Sequence, residues 1–291
     1  MTCAPPAEIQ RIRTEVAAKV QALPALPAMC RQILTAISDP KVDFDVLARQ
    51  CAYDPGMTAN VLRIANSAYF RATQEIGSLR DAFVRIGARR LFELTVGQGA
   101  GPMLREAFPG YELRQHEMLR HSAWTAAAAE KLAVELKLRA PDMLFTAGLL
   151  HDIGKVVLDP FVESHRTQLL SAVASHPEAG FEAAEREVLG IDHAQVGAEI
   201  LRQWRLPPQL VAAVEHHHNP AAGEAADLLA CNIVHVANTL AGTSGVGAGI
   251  AGMRHTVSNE ALQTLHIKTT VLERVAASTL GAMEELERML G

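Results

Sequence analysis

The chain has few aromatic residues, 4% of its 291, and hardly any stretch in which apolar and polar residues alternate. Both features mark β-strands, so their scarcity argues against a sheet. Cysteine is also sparse: Cys3, Cys30, Cys51 and Cys231 form no Cys-x-x-Cys spacing, and no secretory leader opens the chain. Reduced thiols and a cytoplasmic location are expected. No apolar run reaches the ~18 residues that a membrane span needs; "GLLHDIGKVVL" is broken by charge and "GVGAGIAGM" is short and glycine-rich. Positive charge is in deficit too, with a net charge of -5. A general nucleic-acid binder is disfavoured, since phosphate affinity needs a surplus of Lys and Arg on one face. The one basic cluster, "RIGARR" from Arg85 to Arg90, reads as a solvated helix face.

What the chain has is helical periodicity. Hydrophobic residues make up 49%, ample for a packed core. Ile9, Ile12, Val16 and Val20 form one stripe, and Asp54-Pro55 is a helix restart signal. Runs rich in Ala, Leu, Glu, Arg and Gln dominate, so the expected fold is all-α. Prolines at 24, 27, 40, 55, 102, 109, 141, 160, 177, 207 and 220 mark helix starts or breaks and imply an irregular multi-helix bundle. Gly and Pro concentrate in "GQGAGPMLREAFPGYE", 97–112, which divides the chain into subdomains 1–111 and 112–291. "AGTSGVGAGIAGM", 241–253, reads as a flexible loop, because its glycines match no phosphate-cradling order. The amphipathic pattern at 269–290 packs on its own bundle or on a second copy, which leaves a homodimer open.

The chemistry gathers around histidine, of which there are twelve. His121 lies on a long helical pattern with Glu117 four residues earlier. In "AGLLHDIGKVVL", 147–158, His151 and Asp152 fall at a helix end, where Gly154 can supply the turn and adjacent side chains can converge. Asp192 is a good N-cap with Gln195 three residues on, which puts His193 in the first helical turn. His216, His217 and His218 close the next helix before Asn219-Pro220, and His235 and Asn238 stand three apart on another. Imidazoles and carboxylates are ligands of zinc, iron, manganese and nickel, so their meeting inside a bundle makes a site for one or two divalent ions. Lys155 is placed to balance phosphate charge. His116, His165, His176, His255 and His266 read as ordinary core or surface residues.

The order of these motifs is similar to that of HDOD proteins, relatives of the HD phosphohydrolases. The similarity rests on "LPALPAMCRQILTAISDP", "DPGMTANVLRIANSAYF", "IGSLRDAFVRIGARRLFEL" and "AGLLHDIGKVVL…REVLGIDHAQVGAEILRQWRLPPQLVAAVEHHHNP", and runs from about residue 20 to about 245. The resemblance implies an N-terminal helical subdomain, a C-terminal HD-like bundle and a regulatory role in bacterial signalling, often without enzymatic activity. Carried over, the metal ligands are His121, His151, Asp152, His193, His217 and His218. The final aspartate of the HD pattern falls on Asn238, which offers a neutral oxygen and weaker hold on metal. The Gly-Tyr-Pro signature of cyclic di-GMP phosphodiesterases is missing from "HHHNPAAGEAADLLA", so that activity is disfavoured. The leading expectation is a module that binds a signalling partner or a nucleotide; the alternative is a metal-dependent phosphohydrolase acting on a nucleotide or phosphodiester, with Asp152 and Lys155 in catalytic roles. Leu62, Ile64, Tyr69 and Phe70 are expected in the core, and Asn66 is expected to find a polar partner.

Overall fold

The computed structural model describes residues 5–37, 41–66, 75–138, 143–176, 179–247, 249–251, 257–281 and 283. Among them the chain forms helices and no strand; one isolated bridge pairs Phe108 with Leu113. In chain order the helices are α1 (Pro6–Ala22), α2 (Ala28–Ile37), α3 (Phe44–Cys51), α4 (Pro55–Ala65), α5 (Leu79–Arg85), α6 (Ala88–Leu104), α7 (Glu117–Glu135), α8 (Leu144–Leu150), α9 (Lys155–Ser164), α10 (Arg166–Ser175), α11 (Phe181–Leu189), α12 (His193–Gln203), α13 (Pro208–Glu215), α14 (Leu228–Thr243), α15 (Asn259–Thr264) and α16 (Thr269–Leu280).

Two compact units result. The smaller centres on residues 25–102, and the larger takes the chain up to Pro24 together with 103–280. The first helix therefore packs with the C-terminal part, a division that differs from a single cut near residue 111. The stripe of α1 explains why: Ile12, Val16 and Val20 are buried, and α1 lies against α9, α11 and α12. Trp204 Nε1 donates to the Pro24 carbonyl at 3.1 Å and holds the end of this segment in place.

In the smaller unit, Asp43, Asp54 and Ser78 cap α3, α4 and α5 through their side chains, each contributing about 1 kcal/mol. Phe44 and Phe83 stack at 5.7 Å between α3 and α5. Ile64 is fully buried. Asn66, at the end of α4, finds its partners in the backbone: Nδ2 donates to the Leu62 and Ile76 carbonyls, and Oδ1 accepts from the Ile76 N–H at 2.7 Å. Tyr69 and Phe70, like Pro40, Pro141, Pro177 and His255, lie outside the described residues.

The larger unit is built around α7, which packs on α8, α14 and α16. Its run Ala126–Ala129 is buried together with Trp124, and the small side chains let neighbouring helices approach closely. Helix α16 packs within the chain, with Arg274 donating to Glu135 at 2.8 Å and Val275 and Thr279 buried. Two prolines do not act as breaks: Pro102 and Pro160 sit inside α6 and α9.

Candidate metal centre

Glycine explains the sequence "AGLLHDIG". A Cβ on Gly148 would stand 2.6 Å from the Ala126 Cα of α7, and one on Gly154 would overlap the His193 carbonyl of α12 and stand 2.6 Å from the Gly197 N. The corner between α8 and α9 is thus pressed onto the two helices that carry His121 and His193. Gly154 lies in the turn between α8 and α9, as the sequence suggested, with a helical backbone, φ -63°. It is glycine because of close approach. Asp192 and Gln195 form the expected capping box, and His193 begins α12.

At this corner five imidazoles meet around one carboxylate. Asp152 Oδ2 lies 3.3 Å from His151 Nε2 and 3.6 Å from His121 Nε2, while Oδ1 lies 3.4 Å from His193 Nε2 and 3.8 Å from His217 Nε2. His218 Nε2 joins the second group, 2.8 Å from His193 Nε2. The donor atoms fall into two sets that share Asp152: His121, His151 and Asp152; and Asp152, His193, His217 and His218. Asn238 brings its Oδ1 to 3.0 Å from His121 Nε2. Lys155 donates to Asp152 Oδ2 at 2.6 Å, with its Nζ 5.4 Å from the centre of the Tyr111 ring. His235 stays outside: its Nδ1 donates to the His217 carbonyl, and its Nε2 accepts from the Ser258 N–H. Glu117 turns back to accept from the Arg114 N–H, ahead of α7, instead.

The far side of each imidazole fixes what it presents to the centre. His151, His217 and His121 direct Nδ1 at the carbonyls of Gly148, Val214 and Val246, at 2.7, 2.7 and 2.9 Å. A carbonyl only accepts, so each Nδ1 carries a proton, and in the neutral ring this leaves Nε2 as the nitrogen whose lone pair faces inward. His193 Nδ1 likewise donates to Glu185 Oε2 at 2.6 Å. Lone pairs therefore face a carboxylate with few protons between them. Asp152 Oδ1 and His217 Nε2 are buried without any hydrogen-bond partner, an arrangement that costs free energy unless a cation lies between the donors. The residues present fit a divalent cation with nitrogen and oxygen ligands.

The electrostatics agree. Burial alone would raise the Asp152 carboxyl, but His151 and Lys155 hold it well below the usual range. Burial and the neighbouring His151 push His121 down to about 4, and burial and His151 push His217 well below an ordinary imidazole. Both remain neutral and able to ligate near pH 7.

Sequence reasoning missed three parts of this site: Glu185, Tyr111 and the glycine-rich stretch. Glu185 accepts from the Tyr111 hydroxyl at 2.6 Å and from both the backbone N–H and Nδ1 of His193, at 2.9 and 2.6 Å. Burial would raise its carboxyl, yet His193 and these bonds hold it below the ordinary value. Its signal was present: on α11 it shares the buried stripe of Phe181, Ala184 and Val188, where an acidic residue needs a partner. The glycine-rich stretch is no free loop, because Val246, Ile250 and Ala251 are buried, the Val246 carbonyl orients His121, and the Ile250 N–H donates to the Tyr111 carbonyl at 2.9 Å.

A family model for the HDOD domain matches residues 23–220. An uncharacterized protein of Treponema pallidum (strain Nichols) is 26% identical over 218 residues, 73% of this chain and 41% of its own length. Ribonuclease Y of Thermus thermophilus is 32% identical over 164 residues, 56% of this chain and 21% of its own length. The chain thus spans less than half of these curated relatives. Among solved structures, an HDOD domain protein of Geobacter sulfurreducens superposes with a TM-score of 0.70 at 23% identity, covering 96% of this chain and 98% of its own. A Shewanella amazonensis SB2B protein named for phosphohydrolase activity gives 0.67 at 24%, with 95% and 98% covered. A Marinobacter aquaeolei VT8 protein named for signal transduction gives 0.71 at 18%, with 98% and 65% covered. At these identities the structural likenesses carry the fold.

Proposed function

Since the chain belongs to the HDOD domain family, we propose that it is a regulatory module of bacterial signal transduction whose HD-like centre holds one or two divalent ions and binds the phosphate of a nucleotide. The observation that supports this reading is the pair of buried, unpartnered atoms, Asp152 Oδ1 and His217 Nε2, among imidazoles whose lone pairs face inward. His121, His151, Asp152, His193, His217 and His218 would hold the ions, with Asn238 as a neutral oxygen ligand. Bound divalent ions polarise phosphoryl oxygens and acidify water. The protein's own part is to fix the imidazoles by their Nδ1 bonds and to keep Lys155 beside Asp152 as a positive group facing phosphate. A signalling protein is the expected partner; among the described residues no helix is long and apolar enough to cross a membrane.

Elemental analysis of untagged protein beside His151→Ala and Asp152→Ala tests the centre. Near-stoichiometric metal in the parent and its loss in both variants is the expected result. No metal in any of the three, with folding intact, would leave the cluster as architecture.

A second reading, metal-dependent phosphohydrolysis, is favoured by the way Asp152 gives one oxygen to each ligand set with Lys155 alongside, and by the match to Ribonuclease Y, an enzyme named for cleaving RNA. It predicts turnover on a nucleotide or phosphodiester panel with manganese, iron or zinc that vanishes in Asp152→Ala. A silent panel with metal loaded would refute it and leave the binding role.

A further inference from the structure

Access to the centre is uneven. The side chains of His121, His151, Asp152, His193 and His217 are 0–6% exposed, whereas His218 is 10% exposed. His218 also lines a cavity of about 150 Å³ together with Asn219, Asn232, Ser258, Glu260 and Thr264. Its wall is tied to the centre, because the Ser258 N–H donates to His235 Nε2 at 3.0 Å and His235 Nδ1 donates to the His217 carbonyl at 2.7 Å. We infer that this cavity is a binding subsite for the uncharged, hydrogen-bonding ring of a phosphate ester, a ribose or a single base, whose phosphate faces the metal ligands across His218.

Asn232 is the anchor. It is 5% exposed, and its Nδ2 donates to the Leu228 carbonyl at 2.7 Å. That bond fixes which way the carboxamide points. Its oxygen is turned away from that carbonyl, and Asn232 stands in the wall of the cavity. A carboxamide oxygen there can accept from a ligand hydroxyl or N–H. Glu260 adds a second acceptor, Ser258 and Thr264 bring hydroxyls, and Leu228 and Ala261 supply apolar surface for the face of a ring. No Lys or Arg stands among the described lining residues, so the cavity offers nothing to a second phosphate. Its volume is well below the roughly 300–1,000 Å³ of pockets for drug-sized ligands, which suits one ring and not a dinucleotide.

The inference rests on the phosphate-binding reading of the centre, and the experiment separates the two. Metal-loaded full-length protein is titrated calorimetrically with inorganic phosphate, ribose 5-phosphate and a nucleoside 5′-monophosphate. The expected result is an affinity for the ring-bearing esters at least tenfold above that for inorganic phosphate. Ribose 5-phosphate alone reaching that level identifies a sugar pocket; a gain only with the nucleotide identifies a base pocket. In Asn232→Ala and in Thr264→Tyr, an exposed position where the larger ring fills the mouth, the ratio of ester to phosphate affinity should fall to within threefold of one. Thr264→Tyr keeps the test valid if Asn232→Ala does not fold. Equal affinities for all three ligands in the parent, or a ratio that survives Thr264→Tyr, overturns the subsite alone. Failure to bind metal or inorganic phosphate overturns the centre and the subsite with it.

Discussion

Replacing Glu185 by glutamine isolates the support behind His193. The carboxylate accepts three hydrogen bonds: one at Oε1 from the Tyr111 hydroxyl, and two at Oε2 from the backbone and ring of His193. Glutamine has one accepting oxygen. It must turn that oxygen to the two His193 donors and its NH2 to Tyr111, so His193 keeps its tautomer but loses the negative charge behind it. Charge-assisted hydrogen bonds are about twice as strong as neutral ones, and changing the outer partner of a ligating histidine typically costs about 10–100-fold in metal affinity. At 1.36 kcal/mol per decade this is about 1.4–2.7 kcal/mol. Competition between metal-stripped protein and a chromophoric chelator for zinc measures it, with circular dichroism melts confirming the fold. Glu185→Ala serves as the harsher control, since it leaves two buried donors of His193 unpaired at a cost of about 1–3 kcal/mol each in stability. An affinity of Glu185→Gln within threefold of the parent would refute the idea that Glu185 tunes the ligand.

Asn238→Asp returns a carboxylate to a position 2% exposed beside His121; zinc affinity in the same competition should rise by about tenfold, while the metal-free melting temperature falls because a charge is buried. Gly247→Ala should destabilise by about 1–3 kcal/mol, because φ is +55° and the added Cβ would stand 2.5 Å from the Glu117 carbonyl oxygen. Gly242→Ala, where nothing lies within 4 Å, should be neutral or stabilising; thermal melts of the pair check both. Acidifying metal-stripped protein should weaken it in a defined window. His121 drops from 6.5 to about 4 on folding, so below pH 6.5 the unfolded chain takes up a proton that the folded one refuses. Stability therefore falls as pH falls from 6.5 towards 4, by about 2 kcal/mol at pH 5 from this residue. His217, also lowered, acts in the same direction, and His193, raised by Glu185 against the effect of burial, opposes it. Urea unfolding at pH 7, 6 and 5 tests this; a flat stability would contradict it.

Which features were legible follows from how local their causes are. The capping box at Asp192 and Gln195, the restart at Asp54-Pro55 and the helix end at His151 depend on neighbours in sequence, so residue order alone reveals them. The placement of α1 does not, because its stripe of Ile12, Val16 and Val20 announces burial without saying against what. At Gly154 the turn is legible and the close approach is not, because only the position of α12 shows that a Cβ has no room there. Val246 was beyond reach, since the group that orients His121 is a backbone carbonyl 125 residues away. The six ligand positions carried over from the HDOD resemblance do come together in space.

The carboxylate shared by both ligand sets, with a lysine already attached, sets a charge balance for the whole cluster. Asp152, Glu185, Asp192 and Glu182, the last 3.8 Å from His218, supply four negative charges when ionised against the two positive charges of Lys155 and of Arg186, which reaches both Glu182 and Asp192, and the imidazoles count as neutral because ligation requires it. The surplus is two negative charges. One divalent ion neutralises it; a second leaves two positive charges in a nearly solvent-free interior, where uncompensated charge is expensive. The second ion and an anion should therefore arrive together, and by reciprocity each strengthens the other's binding. Metal stoichiometry then becomes a reading of the surrounding anion concentration: one ion in a buffer without phosphate, two when a phosphate ester is abundant.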